Sequence, residues 1–239
     1  AEALLARRWG VQSLRLDANT LREPAVLPLA ALLRVTDKGR ALTRLELGNN
    51  PLGDRGVAVL AQLLHSNAHL RHLGLSATGA QNHAGRELGA MLASNGYLLT
   101  LDLSFNMIRA DAAKDLAAGL CDNVALESLN VAWNGLGDAS CVAVLARAVQ
   151  QGGLVSLDLA HNRVLRGGAI LLAGSLAKTE GRLRRLVMDG NPITQAGARV
   201  LFKAAKEAAR GQEFAIAISA EHCGLGIVDN AAFNPPPPP

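Results

Sequence analysis

The pattern Leu-x-x-Leu-x-Leu-x-x-Asn-x-Leu, or a near variant, returns seven times in this chain of 239 residues, starting at Val11, Leu42, Leu70, Leu98, Leu126, Leu154 and Leu183. Subtracting neighbouring starts gives spacings of 31, 28, 28, 28, 28 and 29 residues. A core built from unrelated segments has no reason to keep such a period, whereas a stack of like units does. Each unit must bury its apolar face against the next, so the expected architecture is a solenoid.

Within a unit, Leu45 with Leu47, or Leu101 with Leu103, has the period of two that marks a strand. Behind it come apolar pairs four residues apart, Leu60 with Leu64, Leu88 with Leu92, Leu116 with Leu120 and Leu172 with Leu176, which mark a helix. Strand and helix alternate, so the strands stack in parallel on the inside of an arc and the wider helices stack outside. Hydrophobic residues make up 49% and aromatics 3% of the chain, so Leu, Val and Ala must fill the core.

The recurrent Asn at 19, 50, 106, 134, 162 and 191 can satisfy backbone groups of the turn after each strand. Thr78 takes its place in the third unit, where a local defect is expected. A column of small residues follows that slot (Ala25, Gly56, Ala84, Ala112, Ser140, Gly168 and Gly197) and lets helix approach strand. The extra residues of the first unit are assigned to an exposed loop at Thr36 to Arg40.

Segments such as LTRLELGNNPLGDRGVAVLAQLL and LVSLDLAHNRVLRGGAILLAGSL resemble the ribonuclease-inhibitor-like subfamily of leucine-rich repeats, also found in NOD-like receptors, tropomodulins and the GTPase-activating protein of Ran. The resemblance covers residues 11 to about 205 and implies an α/β leucine-rich-repeat horseshoe. The expected layout is a capping helix over residues 1–10, seven repeats over 11–210, a cap strand within 211–230 and a proline-rich linker over 231–239. Ala3, Leu4, Leu5 and Trp9 would form the first cap, and Phe214, Ile216 and Ile218 alternate as a last strand would. The run Pro235 to Pro239 suits a polyproline II spacer or a ligand for aromatic-grooved modules. With Ala at its first position and prolines at its last, the chain reads as a piece of a longer polypeptide.

No run of eighteen apolar residues and no apolar leader with a basic flank occurs, so no membrane span or membrane partner is expected. Three scattered cysteines, Cys121, Cys141 and Cys223, fit reduced thiols and a cytoplasmic location better than a disulfide framework. The net charge is +4, but the positions expected on the concave side carry Arg15, Arg44, Arg71, Arg184 and Arg185 against Asp17, Glu46, Asp102, Glu127, Asp158 and Asp189. A nucleic-acid groove would be basic along its length, and this face is balanced.

The acids Asp102, Glu127 and Asp158 fall in three consecutive central units, with Asn130 in the row between the two aspartates. The same units carry Phe105, Trp133 and His161 before the ladder Asn, where side chains of adjacent strands stand about 5 Å apart. Rings flanked by carboxylates suit a partner's Arg or Lys side chain. The alternative reading is that each ring packs over its own turn. Arg182, Arg184 and Arg185 form a second, basic candidate rim for an acidic partner or RNA, the alternative reading being a solvated charged surface.

His65, His69 and His72 do not converge on a metal by helical spacing, and Cys141 shares a buried column with Val57, Ala113 and Ala169. His222 and Cys223 have no third partner for nucleophilic chemistry, and the Gly pairs at 152–153 and 167–168 lack the Lys-Ser/Thr of a phosphate loop. Neither a catalytic residue nor a cofactor, metal or small-molecule site is expected. The expected function is a non-catalytic scaffold that holds a protein partner on its concave face. The resemblance admits two others, a regulator of GTP hydrolysis like the Ran protein and a cytoskeletal or ciliary component like the tropomodulins.

Overall fold

A computed structural model describes residues 10–35, 41–178, 182–210 and 215–223. The expected N-terminal cap residues Ala3, Leu4, Leu5 and Trp9, the Thr36–Arg40 loop, Phe214 and the proline run lie outside them. Strands β1 (Ser13–Arg15), β2 (Arg44–Glu46), β3 (His72–Gly74), β4 (Thr100–Asp102), β5 (Ser128–Asn130), β6 (Ser156–Asp158), β7 (Arg185–Val187) and β8 (Ala217–Ser219) form one parallel sheet in chain order. The register joins like positions, so Leu45, Leu73, Leu101, Leu129, Leu157, Leu186 and Ile218 form one buried row. A one-residue slip anywhere would turn this row outward, so the Leu spacing fixes the stack.

Helices α1 (Val26–Leu33), α2 (Gly53–Leu64), α3 (Asn82–Ser94), α4 (Ala110–Cys121), α5 (Ala139–Gln151), α6 (Arg166–Leu176) and α7 (Thr194–Ala208) line the other side. The four Leu pairs of α2, α3, α4 and α6 are buried against the strands. Gly56, Ala84, Ala112, Gly168 and Gly197 are buried as the small column requires, while Ala25 is only half-buried, in a short 3-10 turn. Ser140 departs from the column and is exposed. Asp138 caps α5 by accepting the Ser140 N–H at 2.9 Å, and the helix buries Cys141, Val142, Leu145 and Val149. Burial lifts the Cys141 thiol to about 12.

The ladder asparagines do what their spacing predicts. Asn106 is buried; its amide donates to the carbonyls of Leu75 at 2.8 Å and Leu103 at 2.9 Å, and its Oδ1 accepts the N–H groups of Thr78 at 3.2 Å and Ala80 at 3.0 Å. Thr78 leaves no gap in its own turn, since its hydroxyl donates to Leu75 O at 2.9 Å. The consequence appears one unit earlier. With no side-chain carbonyl opposite, the Leu52 N–H turns back to Asn50 O at 2.8 Å. Ile193 does the same with Asn191 O at 2.8 Å, and the slot facing Asn191 is held by Cys223. Its thiol donates to Met188 O at 3.1 Å and so continues the ladder into an eighth unit.

A second ladder runs along the opposite ends of the strands. Asn67, Asn95 and Asn123 are buried, and each donates to a carbonyl of the preceding unit: Leu33 at 2.8 Å, Leu64 at 2.7 Å and Leu92 at 2.7 Å. Among the described residues no buried side-chain polar atom lacks a partner. The two ladders together hold both ends of β3, β4 and β5.

Candidate partner-binding site

The residue just before each ladder slot adopts left-handed backbone: Ala18, Asn49, Ala77, Phe105, Trp133, His161, Gly190 and His222 have φ between 52° and 64°. The conformation lets each N–H reach the next unit's carbonyl, as Phe105 N–H does with Ala132 O at 2.9 Å and Trp133 N–H with Ala160 O at 2.9 Å. Side chains in this column are thereby aimed from the rim toward solvent. Phe105 is 57% and Trp133 48% exposed.

The structure brings the three predicted rings together as a stack. Phe105 and Trp133 have centroids 5.5 Å apart at 13°, and Trp133 and His161 lie 3.8 Å apart at 17°. The stack ends on Gly190, where an added Cβ would run into the His161 imidazole. At the other end, the next residue of the column is Ala77, so the outer face of Phe105 meets no ring. Trp133, between two rings, offers mainly its edge.

Asp102, Asn130 and Asp158 form the expected row, joined by the register of β4, β5 and β6. One oxygen of each is committed locally, accepting the N–H of Ser104 at 2.9 Å, Ala132 at 3.0 Å and Ala160 at 2.9 Å. Burial raises the Asp158 carboxyl above its ordinary range; the Ala160 N–H opposes this, Asp189 and Asp102 add to it and Arg185 works against it. Glu127 does not join the row. It is exposed at the start of its unit, ahead of β5, while Asp102 and Asp158 close their strands. Between the row and the rings, Ala132 and Ala160 form a small buried apolar cluster with Val187.

Arg182 and Arg185 are exposed and Arg184 half-buried at the start of β7, the end of the sheet's strands opposite the rings. His65 Nδ1 pairs with Ser94 Oγ at 3.0 Å and His72 Nδ1 with Thr100 Oγ1 at 2.8 Å, and no metal-holding cluster occurs among the described residues. Sequence reasoning passed over Arg109 and Arg163, which border the ring stack. Nothing in the repeat pattern marks them. The second Asn ladder was passed over as well, although 67, 95 and 123 repeat at the period of the units.

The chain carries leucine-rich repeats and folds as their α/β solenoid: the model of a family described as "Leucine Rich repeat" matches residues 40–61 and 123–145. Among solved structures it is similar to "Leiomodin-1 Actin-Binding Site 2 (ABS2)", with a TM-score of 0.51 and 13% identity over 79% of this chain and 90% of that one. At that identity the likeness is one of fold. No curated protein sequence matches the chain. No described helix is long and apolar enough to cross a membrane.

Proposed function

We propose that the chain is a protein-interaction scaffold whose partner docks on the central units, over the stack of Phe105, Trp133 and His161 and the row of Asp102, Asn130 and Asp158. The observation that carries this reading is the left-handed column itself. Ala18, Asn49 and Ala77 make the same turn without a ring, so the turn does not need one. Two hydrogen-bonded ladders hold the backbone beneath, so docking orders little of the protein. A partner's Arg or Lys side chain fits the uncovered face of Phe105 with the free oxygen of Asp102 nearby. The exposed Glu127 and the basic rim of Arg182, Arg184 and Arg185 then lie at the far margin of the same face.

The test is affinity capture with residues 1–239 beside a Phe105→Ala, Trp133→Ala, Asp158→Ala variant whose folding is checked by circular dichroism. A partner retained by the parent and lost from the variant is the expected result; equal recovery would move the interaction off this patch. A second reading has one observation in its favour, the actin-binding site for which the structural neighbour is named. Cosedimentation of the chain with filamentous actin, abolished in the same variant, would convert that likeness into a cytoskeletal partner.

A further inference from the structure

On the turn side of the ring stack lies a groove of about 290 Å³, bordered by Arg109, Trp133, His161, Arg163 and Gly190. Its two charged residues are both arginines, and among the described residues no carboxylate lines it. Their positions follow from the backbone. Arg109 immediately precedes α4, and its aliphatic stem lies over Gly135, where any Cβ would collide with it. Arg163 follows the buried ladder residue Asn162 and is itself left-handed, at φ 61°. The amides of Asn106 and Asn134, also at the groove, are committed to ladder carbonyls.

The rings contribute the same sign. With its faces against Phe105 and His161, Trp133 can turn only its edge to the groove, and an aromatic edge is the positive part of the ring quadrupole. Arg109, Arg163 and Trp133 border one small volume, and Asp102 and Asp158 are not among the residues that line it. A cation has no counter-charge there. A carboxylate has two donors able to bind it in bidentate fashion.

Resting on the docking site proposed above, we infer that this groove takes a Glu or Asp side chain of the protein partner. The partner segment then crosses the ring stack in one orientation, acid toward the turns and base toward the strands. A charge pattern of this kind selects partners and fixes their register. The phosphates of a nucleic acid would meet the same arginines but also the acidic row, which repels them.

The experiment uses the chain with Trp9→Phe, which leaves Trp133 as the one tryptophan of the two in the sequence. Its emission is titrated with a Trp-free decapeptide of alternating Glu and Leu, the same peptide with Lys for Glu, and oligothymidylate. Saturable binding of the Glu peptide is expected, weakened about tenfold or more by Arg109→Gln with Arg163→Gln. Arg55→Gln with Arg86→Gln, which removes equal charge from the helical side, should change it less than about twofold. Preference for the Lys peptide or for oligothymidylate, or a Glu-peptide affinity indifferent to Arg109 and Arg163, would overturn the inference. If the ring variant loses its captured partner while the peptide response ignores the arginines, the docking site stands and the carboxylate assignment fails. If the peptide response needs the arginines while the ring variant keeps its partner, the groove's preference stands and the docking site fails.

Discussion

Units one to three and units four to six use one backbone to carry different side chains. At the left-handed position, Ala18, Asn49 and Ala77 have φ of 55°, 55° and 52°, and Phe105, Trp133 and His161 have 55°, 56° and 53°. A residue with a Cβ is disfavoured there by roughly 1–2 kcal/mol whatever follows the Cβ. The turn therefore exacts the same cost from alanine as from tryptophan and gives no reason for choosing a ring. Nor does the core, since Phe105 and Trp133 remain about half exposed. Ring stacking returns about 0.5–1.5 kcal/mol per pair, which accounts for the rings lying together but not for their being on the rim. The two halves separate what the fold requires from what the surface offers.

The largest expected effect tests the premise that the frame beneath both halves is tight. Asn106 is buried and joins two turns, whereas Asn19 is exposed in the first unit and its amide donates to Asp17 O at 2.8 Å. Asn106→Ala strands two N–H groups and at least one carbonyl and should cost about 3 kcal/mol, against about 0.5 kcal/mol for Asn19→Ala. Urea unfolding followed by circular dichroism measures both. Equal losses would mean that the terminal turn is held as firmly as the central ones.

The ladder also shows how far the fold can be read in sequence. A 28-residue period with Leu and Asn at fixed places specifies strand, register and buried amide together, because each needs its neighbour in the next unit. Substitutions within the pattern are harder to read. Thr78 looks like a defect at its own position, yet the change falls on Leu52, whose N–H loses the carbonyl it would have met across the stack. Cys223 looks like a stray thiol until β8 pairs with β7 and places it in the ladder slot. Ser140 keeps the small column's spacing, but next to the cap at Asp138 it faces solvent, and only Cys141 beside it is buried, as Val57, Ala113 and Ala169 are in its column. The ring stack was legible because rings at one repeat position must align. The groove was not, since it arises from where glycines leave room, and Gly135 and Gly190 carry no signal of what will lie over them.

The next two substitutions exchange the characters of the halves. Gly190→Ala brings a Cβ into the His161 ring at a φ of 64°, and the expected loss is about 2 kcal/mol together with altered Trp133 emission as the imidazole is displaced. Ala77→Gly, in the same column of the other half, should stay within about 1 kcal/mol of the parent and leave the emission unchanged. Converting Phe105 or Trp133 to Asn, the residue that unit two already uses at 49, should cost less than about 1 kcal/mol while abolishing partner capture. A loss well above that would show that the rings hold the turns, and the docking site would lose its main support.

The smallest effect concerns the acidic row, where Asn130 already occupies the position of Asp102 and Asp158 in the intervening strand. Asn130 accepts the Ala132 N–H at 3.0 Å just as Asp158 accepts that of Ala160 at 2.9 Å, so Asp158→Asn preserves the local bond and removes only the charge. Burial, with Asp189 and Asp102 adding to it, raises the folded-state affinity of Asp158 for its proton above the ordinary 3.8. A carboxyl whose pKa rises on folding contributes full stability while protonated and loses it as pH climbs through the folded value. The parent should therefore match Asp158→Asn below pH 3.8 and fall behind it as the pH rises toward neutrality. Denaturant midpoints at acid and neutral pH measure the difference. An Asn variant less stable than the parent at neutral pH would show that the charge is compensated within the folded chain. A more stable one would show that the row keeps an uncompensated carboxylate on the face where a partner's basic side chain would neutralise it.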